Sequence, residues 1–428
     1  MLLNLAPHTG HLLVCGKFLH SLLMWKNRSL NDSNVLPHSL HLIIQVTGDG
    51  HLLNFLITSW RGVSKPEYVK CVGHCSDKFI NVLKEGEACF VLTIGTTDTS
   101  FIPGITIAGA SPELTPYTPP ADAEYLLLGE CRVIPVPPMT PDGKPTPALI
   151  SRACLRILNI PVFVASAGCR VVPKIPYIDL GGEPGRDIRT GRALSEKAVK
   201  EILNNGKLLG RELAKKFDLV IIGESIPAGT TTAMAFMVAL GYDAWNKVSS
   251  ASPVNPIDLK RRVVQEALRN LDIDVPVEDP IVAVSRVGDP VIVGVASIAA
   301  GVLEMRKRVL LAGGTQMCAV VAFLKHLGLD LSPDFIAVGT TRWIFEDSQS
   351  DIVGLLSSIW NKHSLYVAMF SLADVPYDGL RAYEQGFVKE GVGMGGLLVT
   401  TLIRGYSPED IKAKVLEEYE KLLRKARS

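Results

Sequence analysis

The 428 residues carry 44 Lys and Arg against 43 Asp and Glu, a net charge of +1 with neutral histidines, and that balance excludes the strongly basic face of a dedicated nucleic-acid binder. At ~100–200 residues per domain the length allows two or three structural units, large enough to bury a core without covalent staples. The eight cysteines, Cys15, Cys71, Cys75, Cys89, Cys131, Cys154, Cys169 and Cys318, are scattered without paired spacings, which reads as reduced, mostly buried thiols of a cytoplasmic protein and no disulfide framework.

Composition changes sharply within the first quarter. Residues 1–66 hold five Lys or Arg and two Asp or Glu, and seven of the nine histidines fall before residue 75. Short Leu clumps broken by Asn27, Asn31, Asp32, Asn34, Pro37, Gly48 and Gly50 sustain neither a period of 2 nor one of 3.6. Three readings stand: an accessory region, a segment outside the native protein because translation starts later, or a histidine-rich metal-binding region. The apolar stretch Leu12–Trp25 is interrupted by Lys17 and His20 and falls short of the ~20 residues a membrane span needs. No small-residue cleavage site marks a signal peptide. The expected organisation is an extension over 1–66, an α/β domain over 67–405 and a C-terminal helix over 406–428.

From about residue 86 the pattern becomes regular. Cys89–Thr96 and Glu124–Gly129 read as short buried strands, Pro135–Pro147 as a proline- and glycine-rich surface loop, Ala148–Leu158 as a helix, and Pro161–Gly168 as a strand ending in small residues. A polar loop over 181–191 precedes a long amphipathic helix, Ala193–Phe217. Further strands are expected at Leu219–Ile222, Arg308–Ala312, Phe335–Val338 and Leu365–Met369. Helices separate nearly all of them, which implies a doubly wound, mostly parallel α/β sheet with right-handed crossovers. At the end, Ser407 and Pro408 start a helix whose Ile411, Val415, Leu416, Tyr419, Leu422 and Leu423 share one face, so it docks on the domain as part of a small helical subdomain. His326 and His363 stand beside lysines and read as surface helix positions. Cys71-Val-Gly-His74-Cys75 has no partner pair at zinc spacing, so it reads as buried thiols.

Small residues follow almost every strand: Gly95-Thr-Thr, Ala167-Gly168, Gly223-Glu224, Gly313-Gly314-Thr315-Gln316 and Gly339-Thr340-Thr341. Ligands of open parallel sheets bind beyond the carboxyl ends of strands, where such turns aim backbone N–H groups at anions. The best-defined turn is Gly223-Glu-Ser-Ile-Pro-Ala-Gly-Thr-Thr-Thr-Ala233. It lacks the lysine of a Walker loop, and its Gly229-Thr230-Thr231 suits a phosphate monoester while Glu224 faces a ribose or a cationic ring. Further on, Gly391, Gly393 and Gly396 fit G-x-G-x-x-G, but no strand precedes them, so a dinucleotide fingerprint is not indicated. These glycines bring backbone close to a ligand and present Glu390. Asp289-Pro290 reads as a turn or substrate contact.

These residues resemble those of the nicotinate-nucleotide:dimethylbenzimidazole phosphoribosyltransferase family, its archaeal branch above all. Gly223–Ala233 is similar to the family's G-E-M-G-I-G-N-T-T segment and Lys389–Gly395 to its G-E-G-T-G-A segment, with Lys260 similar to a helical lysine between them. The likeness covers about residues 86–405. Thr230 replaces an asparagine, Pro227 sits in the loop, and Lys389 replaces a glycine. The region that forms the family's base pocket has only a faint counterpart, in Ile94–Pro119. The resemblance implies transfer of phosphoribose from nicotinate mononucleotide to a benzimidazole-type base in a homodimer, with neither metal nor cofactor. It implies Glu390 as general base and Glu224 at the ribose or the oxocarbenium-like centre. Gly223, Gly229, Thr230, Thr231, Lys260, Gly339, Thr340, Thr341, Gly391 and Gly393 would hold phosphate and ribose, beside Gly313, Gly314, Thr315 and Gln316. The competing readings are a non-catalytic nucleotide or corrinoid-precursor binder, which has no use for a base at Glu390, and pentosyl transfer to a different base.

The sequence thus assigns residues 1–66 neither to the site nor to the core. A chain starting near Lys65 is expected to unfold at the same temperature as the full chain and to keep nucleotide binding; a drop of more than a few degrees would show that the segment is packed.

Overall fold

The computed structural model describes residues 11–12, 43–46, 53–56, 68–109, 111–134 and 144–427. Two compact units are present, Met1–Lys65 and Pro66–Ser428. In the first, β1 (His11–Leu12), β2 (Ile43–Val46) and β3 (Leu53–Leu56) form an antiparallel sheet in that order. The remainder of the N-terminal extension, and residues 135–143 of the expected proline-rich loop, lie outside the described residues.

The second unit is built on eight strands: β4 (Val69–Gly73), β5 (Ala88–Gly95), β6 (Val162–Gly168), β7 (Ile178–Asp179), β8 (Leu219–Ser225), β9 (Arg308–Ala312), β10 (Ile336–Thr341) and β11 (Ser364–Ala368). Their order is β4-β11-β10-β9-β8-β5-β6-β7. Every pairing is parallel except that of edge strand β4 with β11. All eight residues of β5 and all seven of β8 are buried, as expected of central strands covered on both faces. From β5 the chain steps out to β6 and β7; from β8 it steps the opposite way to β9, β10 and β11. The switch point therefore lies between β5 and β8, and a crevice opens there at the strands' carboxyl ends.

Side chains alternate between two cores. Cys89, Val91, Val220 and Ile222 meet the helices Glu196–Lys216, Gly229–Ala239, Pro290–Glu304 and Gln316–His326. Phe90, Leu92, Leu219 and Ile221 meet Asp77–Glu85, Ala148–Leu158, Met394–Ile403 and the C-terminal helix Pro408–Arg427. In that last helix Ile411, Val415, Tyr419 and Leu422 are buried, Ser407 Oγ accepts the Asp410 N–H at 3.1 Å, and Glu418 pairs with Arg152 at 2.7 Å. Among the described residues no helix is long and apolar enough to cross a membrane.

Three expectations are corrected. Glu124–Gly129 is not a strand but the end of a helix, Thr118–Leu128, which has Pro at its start and closes on Gly129 at φ 74°. It is buried nearly all round, so its apolar run carries no period that tells helix from strand. Cys71 and Cys75 are joined by a disulfide, their Cα atoms 6.1 Å apart across the turn that ends β4. His363 lies in the turn before β11, with its ring against Gly73, and not in a helix.

The helix Met394–Ile403 lies unusually close to the sheet. A Cβ on Gly223 would stand 2.7 Å from Gly393 Cα, one on Gly339 2.8 Å from Gly396 Cα, and one on Gly395 2.4 Å from the Thr340 backbone. None of these has anywhere to go, because the obstructing atoms are main chain. Gly395→Ala is therefore expected to cost ~1–3 kcal/mol through overpacking, measured as a lowered midpoint of denaturant unfolding.

Candidate active site

A cavity of about 420 Å³ occupies the crevice at the carboxyl ends of the strands. Glu224, next to last in β8, and Glu390, in the loop before Met394, both line it. Glu390 is fixed by main chain: its carboxylate accepts N–H groups from Gly395 at 2.8 Å, Thr341 at 3.2 Å and Gly391 at 3.3 Å. The loop is tied to β8 by the Val392 N–H, which donates to Glu224 O at 2.9 Å. Val388 (φ 50°) and Val392 (φ 55°) take the left-handed conformation on either side of Glu390. For β-branched residues that geometry is strained.

The cavity wall contains Glu224, Gly229, Thr230, Gly314, Gln316, Glu390 and Gly391. Others of the expected site residues stand behind it. The Lys260 ammonium donates to Thr230 Oγ1 at 3.0 Å and Ser249 O at 2.6 Å, and Thr315 Oγ1 accepts the Ser249 N–H at 3.0 Å. Thr341 supports the Glu390 loop twice, through its N–H and through its hydroxyl, which donates to Lys389 O at 2.6 Å. Gly223, Gly339 and Gly393 form the close backbone contacts described above, Gly313 packs on Met317, and Thr231 and Thr340 are fully buried. Lys389 turns away from Glu390 to pair with Asp347 at 2.9 Å, both side chains 4% exposed.

Two further carboxylates belong to the site. Asp122 lines the cavity and accepts from Thr146 Oγ1 at 2.6 Å and Ser225 Oγ at 2.8 Å. Asp289 lies beneath, capping the helix Pro290–Glu304 through the N–H groups of Val291 and Ile292 and accepting from Thr232 Oγ1. Asp122 escapes a sequence reading because it stands just ahead of a run that looks like a strand; Thr118-Pro-Pro at a helix start is the signal that points to it. Asp347 and Ser249 carry no local signal. Among the described residues, no three His, Cys, Asp or Glu side chains converge in a metal-binding arrangement.

Gathering carboxyl groups out of water raises their proton affinity. Burial first, then the charges of Asp289, Glu390 and Asp122, push the Glu224 carboxyl up to about 8. Burial pushes Glu390 up to about 7 against the opposing pull of its N–H donors, and Asp122 up to about 6 against its two hydroxyl donors. Burial, helped by Lys389, brings the Lys260 ammonium down to about 7. The site thus holds groups that gain or lose protons near neutrality, the property that acid–base chemistry requires.

Residues 153–329 match the family model DBI_PRT, phosphoribosyltransferase. A UPF0284 protein of Sulfolobus acidocaldarius is 51% identical over 338 residues, covering 79% of this chain and 96% of its own length. The chain belongs to the UPF0284 proteins, and its central part matches the phosphoribosyltransferase model. A UPF0284 protein of Saccharolobus solfataricus is likewise 51% identical, over 78% of this chain and 93% of its own. Nicotinate-nucleotide-dimethylbenzimidazole phosphoribosyltransferase of Thermus thermophilus shares the fold, with a TM-score of 0.52 at 16% identity over 77% of this chain and 84% of that one. A second structure, CobT from the same organism, gives a TM-score of 0.51 at 17% identity over 76% and 84%. This phosphoribosyltransferase therefore carries its two glutamates on a fold shared with enzymes whose sequences have diverged widely.

A folded-state pKa raised from 4.5 to about 8 means that the Glu224 contribution to stability is complete below about pH 4.5 and is lost as pH rises through about 8. Glu224→Gln, a neutral mimic of the acid, is expected to remove that loss: wild type should weaken relative to the variant as pH rises across this window, measured by denaturant unfolding of both. Parallel stability curves would refute the placement of a buried, titrating carboxyl there.

Proposed function

We propose that the protein transfers the phosphoribosyl group of nicotinate mononucleotide to dimethylbenzimidazole or a related base, giving an α-riboside phosphate for a cobamide lower loop and releasing nicotinate. The observation that carries this reading is Glu390: a half-buried carboxylate, fixed by three backbone N–H groups at the cavity edge, with its proton affinity raised to about 7.

In nicotinate mononucleotide the glycosidic nitrogen is a pyridinium, so the ring departs without a general acid. The acceptor needs help instead. A benzimidazole that attacks C1′ through one nitrogen becomes cationic unless its other N–H is removed, and a single carboxylate with a pKa near the working pH does this best. Glu390 takes that proton as the new C–N bond forms on the face opposite the departing ring, inverting the β-glycoside. Glu224, by itself neutral at pH 7, is shifted towards the carboxylate by a pyridinium beside it, and then stabilises positive charge at the ribose. The 5′-phosphate lies at the start of the helix Gly229–Ala239, where the dipole favours an anion, with Thr230 in the wall and Lys260 behind it. The wall contributed by Ile105, Ile107, Leu114 and Tyr117 suits a flat aromatic base.

Glu390→Gln keeps size and hydrogen bonding but removes the proton acceptor. Nicotinate mononucleotide is expected to bind with little change while turnover falls ~10²–10⁴-fold, with loss of the acidic limb of the pH–rate profile. An unchanged rate in a folded variant would leave Glu224 as the remaining base.

A further inference from the structure

We infer that the substrate's phosphate binds together with one proton, taken up at Lys260, and that Lys389 is the residue that imposes this coupling. The inference rests on the phosphate position proposed above and concerns how that site is charged. Lys260 is 1% exposed. Its nitrogen donates to Thr230 Oγ1 and to Ser249 O, a hydroxyl and a carbonyl, and among the described residues no carboxylate is bonded to it. An ammonium has three protons to give and the neutral amine two. The two bonds use both protons of the amine, whereas the third proton of an ammonium finds no acceptor among the described residues.

A count of buried charge agrees with this. Lys389 is 3% exposed and pairs with Asp347 at 2.9 Å. That carboxylate is further held by the Gln349 N–H and the Ser350 hydroxyl, each at 3.1 Å. Lys389 and Asp347 are the charges that bear on Lys260, so two lysines share one carboxylate and Lys389 has it. An ammonium left without a partner in such a place is costly, and the amine is favoured. The other packed elements offer no relief. The helix Gly229–Ala239 carries no ionisable side chain, Arg189 of the turn Ile188–Thr190 pairs with Asp187, and on the helix of Lys260 itself Asp258 pairs with Arg261.

A phosphate monoester, a dianion above about pH 6, supplies the missing negative charge. Thr230 stands between the two: its oxygen accepts from Lys260, and its own proton is left for a ligand in the cavity it lines. An anion there raises the proton affinity of Lys260, so a proton enters with the phosphate. The sign follows from the free value of about 7: affinity is full below that pH and is lost as pH rises above it, by ~10-fold per pH unit for one proton. Lys389 acts through Lys260 and not on the substrate.

The probe is a methyl riboside 5-phosphate, which has no aldehyde and no cationic ring; a pyridinium would release a proton from Glu224 and mask the uptake. Calorimetric titration in buffers of different ionisation enthalpy counts the protons. Wild type is expected to take up close to one proton per molecule bound at pH 8, with Kd rising ~10-fold from pH 8 to pH 9. Lys389→Met leaves one lysine and one carboxylate, so Lys260 keeps its proton throughout: uptake is expected to vanish, and Kd to stay within about 2-fold over the same range. Asp347→Asn removes the carboxylate instead and is expected to bring the full uptake down to pH 7. Wild-type binding without proton uptake, uptake that the variants leave unchanged, or no binding of the probe overturns the inference. If Lys389→Met does not fold, wild type and Asp347→Asn decide. Nicotinate release from nicotinate mononucleotide and a base is measured on the same preparations. Release without proton-linked binding overturns the inference alone; proton-linked binding without release overturns the transfer reaction and leaves the coupling standing.

Discussion

Backbone lying directly on backbone is the constraint from which the site follows. Gly393, Gly395 and Gly396 let the start of one helix rest on the ends of β8, β9 and β10 at distances that a side chain would forbid. Because the helix sits so low, the loop before it must turn sharply, and the turn delivers Glu390 into reach of N–H groups from its own helix and from β10. The Val392 N–H then grips the carbonyl of Glu224 itself. The spacing of the two glutamates is therefore a property of main chain, set by these glycines. Catalytic geometry held by rigid elements is the arrangement that tolerates least slack.

The electrostatics follow from that enclosure. Three buried carboxyl groups, Asp122, Glu224 and Asp289, and the half-buried Glu390 stand in one region, and two lysines beside them do not neutralise them: Lys389 is committed to Asp347, while Lys260 bonds Thr230 and a carbonyl. In a low dielectric this excess is relieved by taking up protons. On the proposed reading, a ligand with a cationic ring at one end and a phosphate at the other would meet the carboxyls with the one and Lys260 with the other.

Much of this is legible in the sequence, for reasons that can be named. Ala148–Leu158 and Arg308–Ala312 appear with the expected bounds because each has one strong period or a short apolar run closed by small residues. The turns after β8, β9 and β10 are visible because glycine and threonine cluster there. The helix Thr118–Leu128 is hidden by burial on every side, and Asp122 with it. The disulfide of Cys71 and Cys75 escapes notice because a four-residue separation looks like neither a framework nor a metal motif; only the turn at the end of β4 brings the two together. The alignment of Lys389 with Asp347, 42 positions apart, has no local signature at all.

Val388 and Val392 give the loop one more property. Both are β-branched, both hold positive φ, and both line the cavity on either side of Glu390. Glycine would meet that backbone shape without strain, yet it would also release the unfolded chain into many more conformations and leave two gaps in the wall. The valines accept local strain and return shape and stiffness. In evolutionary terms the segment inverts the usual logic of turns: a library randomised at these two positions should retain branched residues when selected for turnover and drift to glycine when selected for folding alone. The loop's sequence thereby records which of the two demands has governed its history.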